Sequence, residues 1–194
     1  MSRASLPDER PRYSAAPLPP YSYVPGHRPH PVSDLRGHMY GQAHEIPPPL
    51  DPGQWADSEE YRRAFDLFNH GYYWESHEAW EGLWLAAGRA GPTGAWLKAL
   101  IKLAAAGVKA REGNARGVQR HATRSLELIA ELRAAGEAAD GVFAGADVTQ
   151  LESLARHWRE LASTEFTPAQ PPVRLPGRLP LGGEGTPRPP TGPA

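Results

Sequence analysis

Residues 72–87, YYWESHEAWEGLWLAA, carry the pattern that decides the fold. At about 100° per residue, its apolar side chains fall on one side of an α-helix, namely Tyr73, Trp80, Trp84 and Ala87. A helix of this length is only marginally stable alone in water, so its apolar side must pack against other helices. The stretch therefore predicts one member of a helical bundle.

Helical periodicity continues on both sides of this stretch. Four further helices are predicted: from the cap Ser58 to Gly71, over residues 95–111, from the cap Asn114 to about Arg133, and after a capping box of Asp147 with Gln150. No convincing strand separates them, and short loops favour antiparallel neighbours. We expect an all-α, single up-and-down bundle of about five helices.

Proline divides the chain into three parts. Of 22 prolines, 11 lie in residues 1–50 and 9 in residues 168–194. Because proline lacks an amide donor and clashes inside a helix, both ends are unsuited to helices. We expect one bundle domain over residues 55–166 and a disordered Pro/Gly-rich tail over residues 167–194. Residues 1–54 are a Pro/His/Tyr-rich arm, expected to be partly extended along the bundle or disordered.

Composition excludes several classes of protein. The net charge is −1, and residues 55–166 hold 13 Lys/Arg against 16 Asp/Glu, so nucleic-acid binding is not expected. The absence of cysteine excludes disulfides and thiol chemistry. Residues 1–20 do not resemble a signal peptide, and no run approaches the roughly 20 apolar residues of a membrane span. A cytoplasmic protein without a membrane partner is the expectation.

His77 and Glu81 lie one helical turn apart, so their side chains are neighbours. Three interpretations stay open. His77 and Glu81 are ligands of a divalent metal, with Glu78 as third ligand or general base. Alternatively, the pair performs acid–base chemistry without metal. In the third interpretation, Glu81 satisfies a core histidine and the pair fixes helix packing.

Further charged residues bear on this choice. Glu75, Glu78 and Glu81 are spaced by threes, and their repulsion costs stability unless a cation faces them. Lys102 is a candidate counter-charge that would form an ion-pair network without metal, although a solvated lysine is the simpler interpretation. A weaker alternative places a metal on His30 or His38 of the arm.

Other polar residues are interpreted as surface. Arg116, Arg120 and Arg124 form a stripe on the fourth predicted helix that glutamates interrupt, which is typical of a solvated face. His121 and His157 have no evident partner in the sequence pattern.

Residues 68–84, FNHGYYWESHEAWEGLW, resemble the signature F-N-x-G-x-Y/F-x-E-x-H-E-x-x-E-x-x-W of a bacterial and archaeal family, domain of unknown function 309. The resemblance continues through residues 97–106 and 112–117 and covers roughly residues 58–133. It implies a compact helical bundle and carries the label of predicted metal-dependent hydrolase. The positions that carry over are His77, Glu78 and Glu81, with Glu75 less directly.

Family members often have glutamines where this chain has Lys98 and Lys102, and a lysine facing the carboxylates would compete with a cation. We expect Glu75, Lys102, Asn69 and Tyr73 to lie around the cluster and support it.

Two functions of different class follow. The first is a metal-dependent hydrolase that uses the HExxE helix, with a divalent metal and no nucleotide cofactor. It predicts an accessible cleft between the second and third helices. The second is a non-catalytic binding or scaffold module, which predicts a closed site with each carboxylate paired to Lys, Arg or a backbone donor. A small-molecule ligand and a homo-oligomer are compatible with either.

Overall fold

The computed structural model describes residues 12–42, 45–161, 175 and 177–182. These residues contain a 3₁₀ helix, Pro52–Asp57, and the α-helices α1 (Glu59–Asn69), α2 (Tyr73–Ala86), α3 (Gly91–Arg111), α4 (Ala115–Ala134) and α5 (Val148–Leu161). Two strands, β1 (Val142–Phe143) and β2 (Ala146–Asp147), pair antiparallel between α4 and α5. The prediction of an all-α bundle is confirmed.

The predicted helix caps are present. Ser58 accepts a hydrogen bond from the Tyr61 amide, Asn114 from the Gly117 amide, and Asp147 from the Gln150 amide. The start of α3 differs from the prediction, because the helix begins at Gly91. Pro92 stands in its first turn, where a missing amide donor costs no helical hydrogen bond.

Each helix packs against the next along the chain, α1 on α2, α2 on α3, α3 on α4, and α4 on α5. This order is that of a bundle built from sequence neighbours. None of the helices in the described ranges is both long enough and apolar enough to span a membrane.

Aromatic rings fill the centre of the bundle. Trp80 of α2 lies 5.3 Å from Phe65 and 5.7 Å from Phe68 of α1, measured between ring centroids. Phe68 also stacks on Trp158 of α5 at 5.4 Å. Trp96 of α3 donates a hydrogen bond from its indole nitrogen to the Tyr61 hydroxyl, at 2.8 Å. These large side chains are fully buried and join α1, α2, α3 and α5 into one core.

Residues 12–42 of the arm lie on the bundle. Asp66 of α1, which is fully buried, accepts hydrogen bonds from the amides of Tyr13 and Ser14 and forms an ion pair with Arg12 at 3.0 Å. Further along, the Ser22 hydroxyl donates to the carbonyl of Gly71. The arm therefore satisfies polar groups that the helices alone would leave buried and unpaired.

A short C-terminal segment, residue 175 with residues 177–182, also contacts the bundle. Leu179 exchanges two hydrogen bonds with the side chain of Asn69, and the Leu181 amide donates to the Tyr13 hydroxyl. Leu175, Leu179 and Leu181 are buried. These residues differ from the disordered tail expected from composition, because a few leucines pack while the average composition stays polar. The remainder of that predicted tail, and residues 162–166 at the predicted end of the bundle, lie outside the described residues.

Candidate metal centre

The three residues of the HExxE motif form one cluster on α2. His77 Nδ1 lies 3.4 Å from Glu78 Oε1 and 4.0 Å from Glu81 Oε2. One potential ligand atom from each of the three residues lies within 4.8 Å of the others. The cluster forms because residues i, i+1 and i+4 of a helix place these side chains along one edge.

Solvent reaches the cluster. The exposed fractions of the side chains are 25% for His77, 34% for Glu78 and 41% for Glu81. Within the described ranges, His77 Nδ1 is buried without a hydrogen-bond partner, and neither glutamate has a lysine or arginine within 4.0 Å. This arrangement differs from the closed, fully paired site that a purely structural His–Glu pair predicts.

Lys102 of α3 is an electrostatic neighbour of the cluster. Its burial, followed by the positive charge of Lys98, lowers the pKa of Lys102, and the negative charge of Glu81 opposes both effects. No ion pair within 4.0 Å joins Lys102 to Glu81 in the part of the chain described. Lys102 therefore acts on the cluster through its charge and does not neutralise it by direct contact.

His121 of α4 also belongs to this neighbourhood, and the sequence interpretation missed it. Burial, followed by the positive charges of Lys102, Arg120, Lys109 and His77, lowers its pKa to about 4. The imidazole is consequently neutral at pH 7. A helical-wheel projection of α4 indicates that His121 lies on the buried side of the helix. It stands three residues after Val118 and four before Ser125, both of which are buried.

Glu75 points away from the cluster. It is only 6% exposed, and its Oε1 accepts a hydrogen bond from the Tyr23 amide of the arm at 2.7 Å. Burial raises the pKa of Glu75 to about 7, against the opposing effects of the Tyr23 hydrogen bond, Arg111 and Ser22. Glu75 and Glu78, which flank His77 in the sequence, therefore have different environments. Glu75 is buried against the arm, and Glu78 is partly exposed.

Asn69 and Tyr73, which the motif suggested as supports for the cluster, contact the C-terminal segment. The Asn69 amide bonds Leu179, and the Tyr73 hydroxyl accepts from the Leu175 amide at 2.8 Å. A Cβ at Gly107 would lie 2.5 Å from the Tyr73 ring, so this ring packs directly on the backbone of α3. Both residues are structural contacts between distant parts of the chain.

His30 and His38 of the arm lie outside the cluster. His30 Nδ1 accepts from the amides of Val32 and Ser33, and its ring packs on Trp74 of α2. The His38 ring packs on Tyr21 at 4.7 Å, and neither of its nitrogens has a hydrogen-bond partner among the described residues. Among the described residues, the group of three or more possible metal ligands whose donor atoms lie close together is the HExxE cluster.

Fold and cluster together define a class: a small all-α protein whose second helix carries a converging His-Glu-Glu group. Residues 61–121 match the model of the family described as Domain of unknown function (DUF309). The matched residues contain the whole cluster together with His121. No curated protein and no solved structure gives a significant match to the chain.

Proposed function

We propose that the HExxE cluster binds a divalent metal ion and that the protein is a metal-dependent hydrolase. His77 and Glu81 are the ligands, and Glu78 is a third ligand or the general base. The observation that carries the proposal is the convergence of His77 Nδ1, which lacks a hydrogen-bond partner in the described structure, with two carboxylates that lack basic partners.

The donor set fits a first-row metal ion. Ligand atoms about 2.1 Å from one tetrahedral ion lie about 3.4 Å apart. The separations of His77 Nδ1 from the two carboxylate oxygens, 3.4 Å and 4.0 Å, approach that value. One imidazole with two carboxylates suits zinc, manganese or iron and leaves positions for water and substrate. Such an ion would supply Lewis acidity for hydrolysis.

The residues around the cluster differ in their expected effect on a bound cation. His121 is uncharged at pH 7, so it adds no positive charge against a bound cation. Lys102 opposes binding through its charge and limits the affinity. The partial exposure of Glu78 leaves its carboxylate accessible to water, as a general base requires.

Hydrolysis is tested with metal-loaded protein and a small panel of chromogenic substrates, a carboxylic ester, a phosphate monoester and a phosphate diester. Wild-type protein should hydrolyse at least one of them, and Glu78→Gln should reduce kcat by at least about a hundredfold. His157→Ala, a change on the exposed face of α5, is the control that should keep full activity. Equal rates for the wild type and Glu78→Gln would contradict the assigned role.

A further inference from the structure

A groove of about 720 Å³ lies between α3 and α4, and this volume is within the range of small-molecule sites. Its lining includes Lys102 of α3 together with Arg116, Arg120, His121 and Arg124 of α4. Lys102 and His121 are half-buried, whereas Arg116 and Arg120 are exposed. The groove therefore has a partly buried floor and a rim that solvent and solutes reach.

The lining of the groove carries an excess of positive charge. Four of its side chains are basic, and one, Glu127, is acidic. The Glu127 carboxylate already forms an ion pair with Arg124, at 2.8 Å. The other three basic side chains have no carboxylate within 4.0 Å among the residues that the structure describes, namely Lys102, Arg116 and Arg120. Their charges are therefore available to an anion from solution.

The positive charges around the groove repel one another. Burial lowers the pKa of Lys102, and so do the positive charges of three neighbours, Lys98, Arg120 and Arg124. The negative charge of Glu81 opposes this effect only in part. Like charges held close together cost free energy, and a bound anion relieves that cost. The arrangement thus favours an anionic occupant over a neutral or cationic one.

We propose that the groove between α3 and α4 binds a small phosphorylated molecule, whose phosphate groups pair with its basic side chains. A phosphate monoester carries nearly two negative charges at pH 7 and three acceptor oxygens, whereas a carboxylate carries one charge. Guanidinium groups offer paired N–H donors that match phosphate oxygens. Arg116 and Arg124 each stand four residues from Arg120, about 6 Å along the helix axis, so a diphosphate can contact more than one arginine.

The proposal requires no metal at the HExxE cluster. Lys102 nevertheless belongs to both neighbourhoods, because its charge interacts with Glu81 of the cluster and with Arg120 of the groove. Removing that charge should therefore have opposite effects at the two places. It should weaken the binding of an anion in the groove and favour a cation at the cluster.

Calorimetric titration of the metal-free, full-length protein with pyrophosphate tests the proposal. The buffer contains about 0.15 M sodium chloride, which screens charges that are more than about 8 Å apart. Pyrophosphate should bind saturably and at least about tenfold more tightly than malonate, a dicarboxylate. Arg120→Gln should weaken pyrophosphate binding by at least about tenfold. Arg156→Gln removes the same charge from the exposed surface of α5 and should leave binding unaltered.

A second variant separates this proposal from the metal site. Lys102→Gln should weaken pyrophosphate binding without weakening zinc binding, which is titrated separately. Circular dichroism establishes that each variant is folded. The proposal is overturned if pyrophosphate does not bind, if malonate binds equally tightly, if folded Arg120→Gln binds pyrophosphate as tightly as wild type, or if Arg156→Gln weakens binding equally. A protein that binds pyrophosphate but not zinc would support the groove and contradict only the metal site.

Discussion

Lys102 places a positive charge near the HExxE cluster. Its ammonium influences Glu81 without forming a close ion pair, so its charge raises the potential that a metal ion meets. Replacing it by glutamine removes this repulsion. The replacement therefore changes the electrostatic contribution of α3 and leaves the proposed ligands on α2 unaltered.

We expect Lys102→Gln to tighten binding of zinc or manganese by about three- to tenfold, because one nearby unit charge is removed. Calorimetric titration of the metal-free protein measures the affinity. Arg156→Gln, on the exposed surface of α5, is the control for a general change in net charge. Weaker binding by Lys102→Gln would show that the lysine supports the cluster.

Glu75 links protein stability to pH. Its pKa is about 7 in the folded protein against an ordinary value of 4.5, so the folded state holds a proton that the unfolded state has released between these values. The free energy of unfolding then falls as pH rises through this window and levels off above it. The contribution amounts to about 2–3 kcal/mol between pH 5 and pH 8.

Glu75→Gln should remove this slope, and chemical denaturation at several pH values measures it. His121 acts in the opposite direction, because its folded pKa of about 4 makes stability rise with pH up to about 6.5. The informative quantity is therefore the difference between wild type and variant at each pH. Parallel profiles for the two proteins would mean that Glu75 titrates normally.

At the scale of elements, α2 carries both the partly exposed HExxE cluster and, two residues before His77, the buried carboxyl of Glu75. Its position depends on the turn at Gly71, whose φ of 84° lies in the left-handed region. The Tyr72 amide bonds the Leu67 carbonyl across this turn, and the Gly71 carbonyl accepts from Ser22. The turn thus fixes the direction in which α2 leaves α1.

Gly71→Ala should lower the free energy of unfolding by about 1–2 kcal/mol, because alanine is strained at this φ. Gly82→Ala within α2 is the matched control. Its added methyl group would lie 3.4 Å from the Pro47 ring, an ordinary contact, so stability should stay equal or rise. Thermal denaturation compares the two variants, and an equal loss in both would argue against the role of the Gly71 turn.

The helices were predictable because their signals are local. Ser58, Asn114 and Asp147 act within three residues of their own position, and the HExxE spacing is a property of one helix. The β1–β2 pair was not predicted, since strands of two residues have no alternation to detect. The spacing of His121 from Val118 and Ser125 indicates its side of α4, but its proximity to Lys102 and His77 depends on how α4 packs on α3, which local spacing does not encode.

At the scale of the whole molecule, the bundle shares its buried polar groups with both ends of the chain. Asp66 takes its partners from residues 12–14, and Asn69 takes them from Leu179, more than a hundred positions away. Composition does not predict these contacts, because it describes the average of a segment and not the packing of single residues. The described arm and C-terminal segment are structural parts of the helical domain.

Deletion of residues 1–45 should therefore destabilise the bundle by roughly 3–5 kcal/mol, because it leaves the buried Asp66 carboxylate without donors. Adding Asp66→Asn to the shortened chain should recover part of that loss by removing the charge. Urea denaturation measures both proteins. A shortened chain as stable as the full-length protein would mean that the arm contributes no stability.

Elemental mass spectrometry of the purified, tag-free protein tests directly whether a metal ion is bound at the HExxE cluster. Wild type, His77→Ala and Glu81→Ala are compared, with His157→Ala as control. We expect a near-stoichiometric divalent metal in the wild type and the control, and its loss from both cluster variants. A metal-free wild type whose melting temperature does not respond to zinc, manganese, nickel or iron would contradict it.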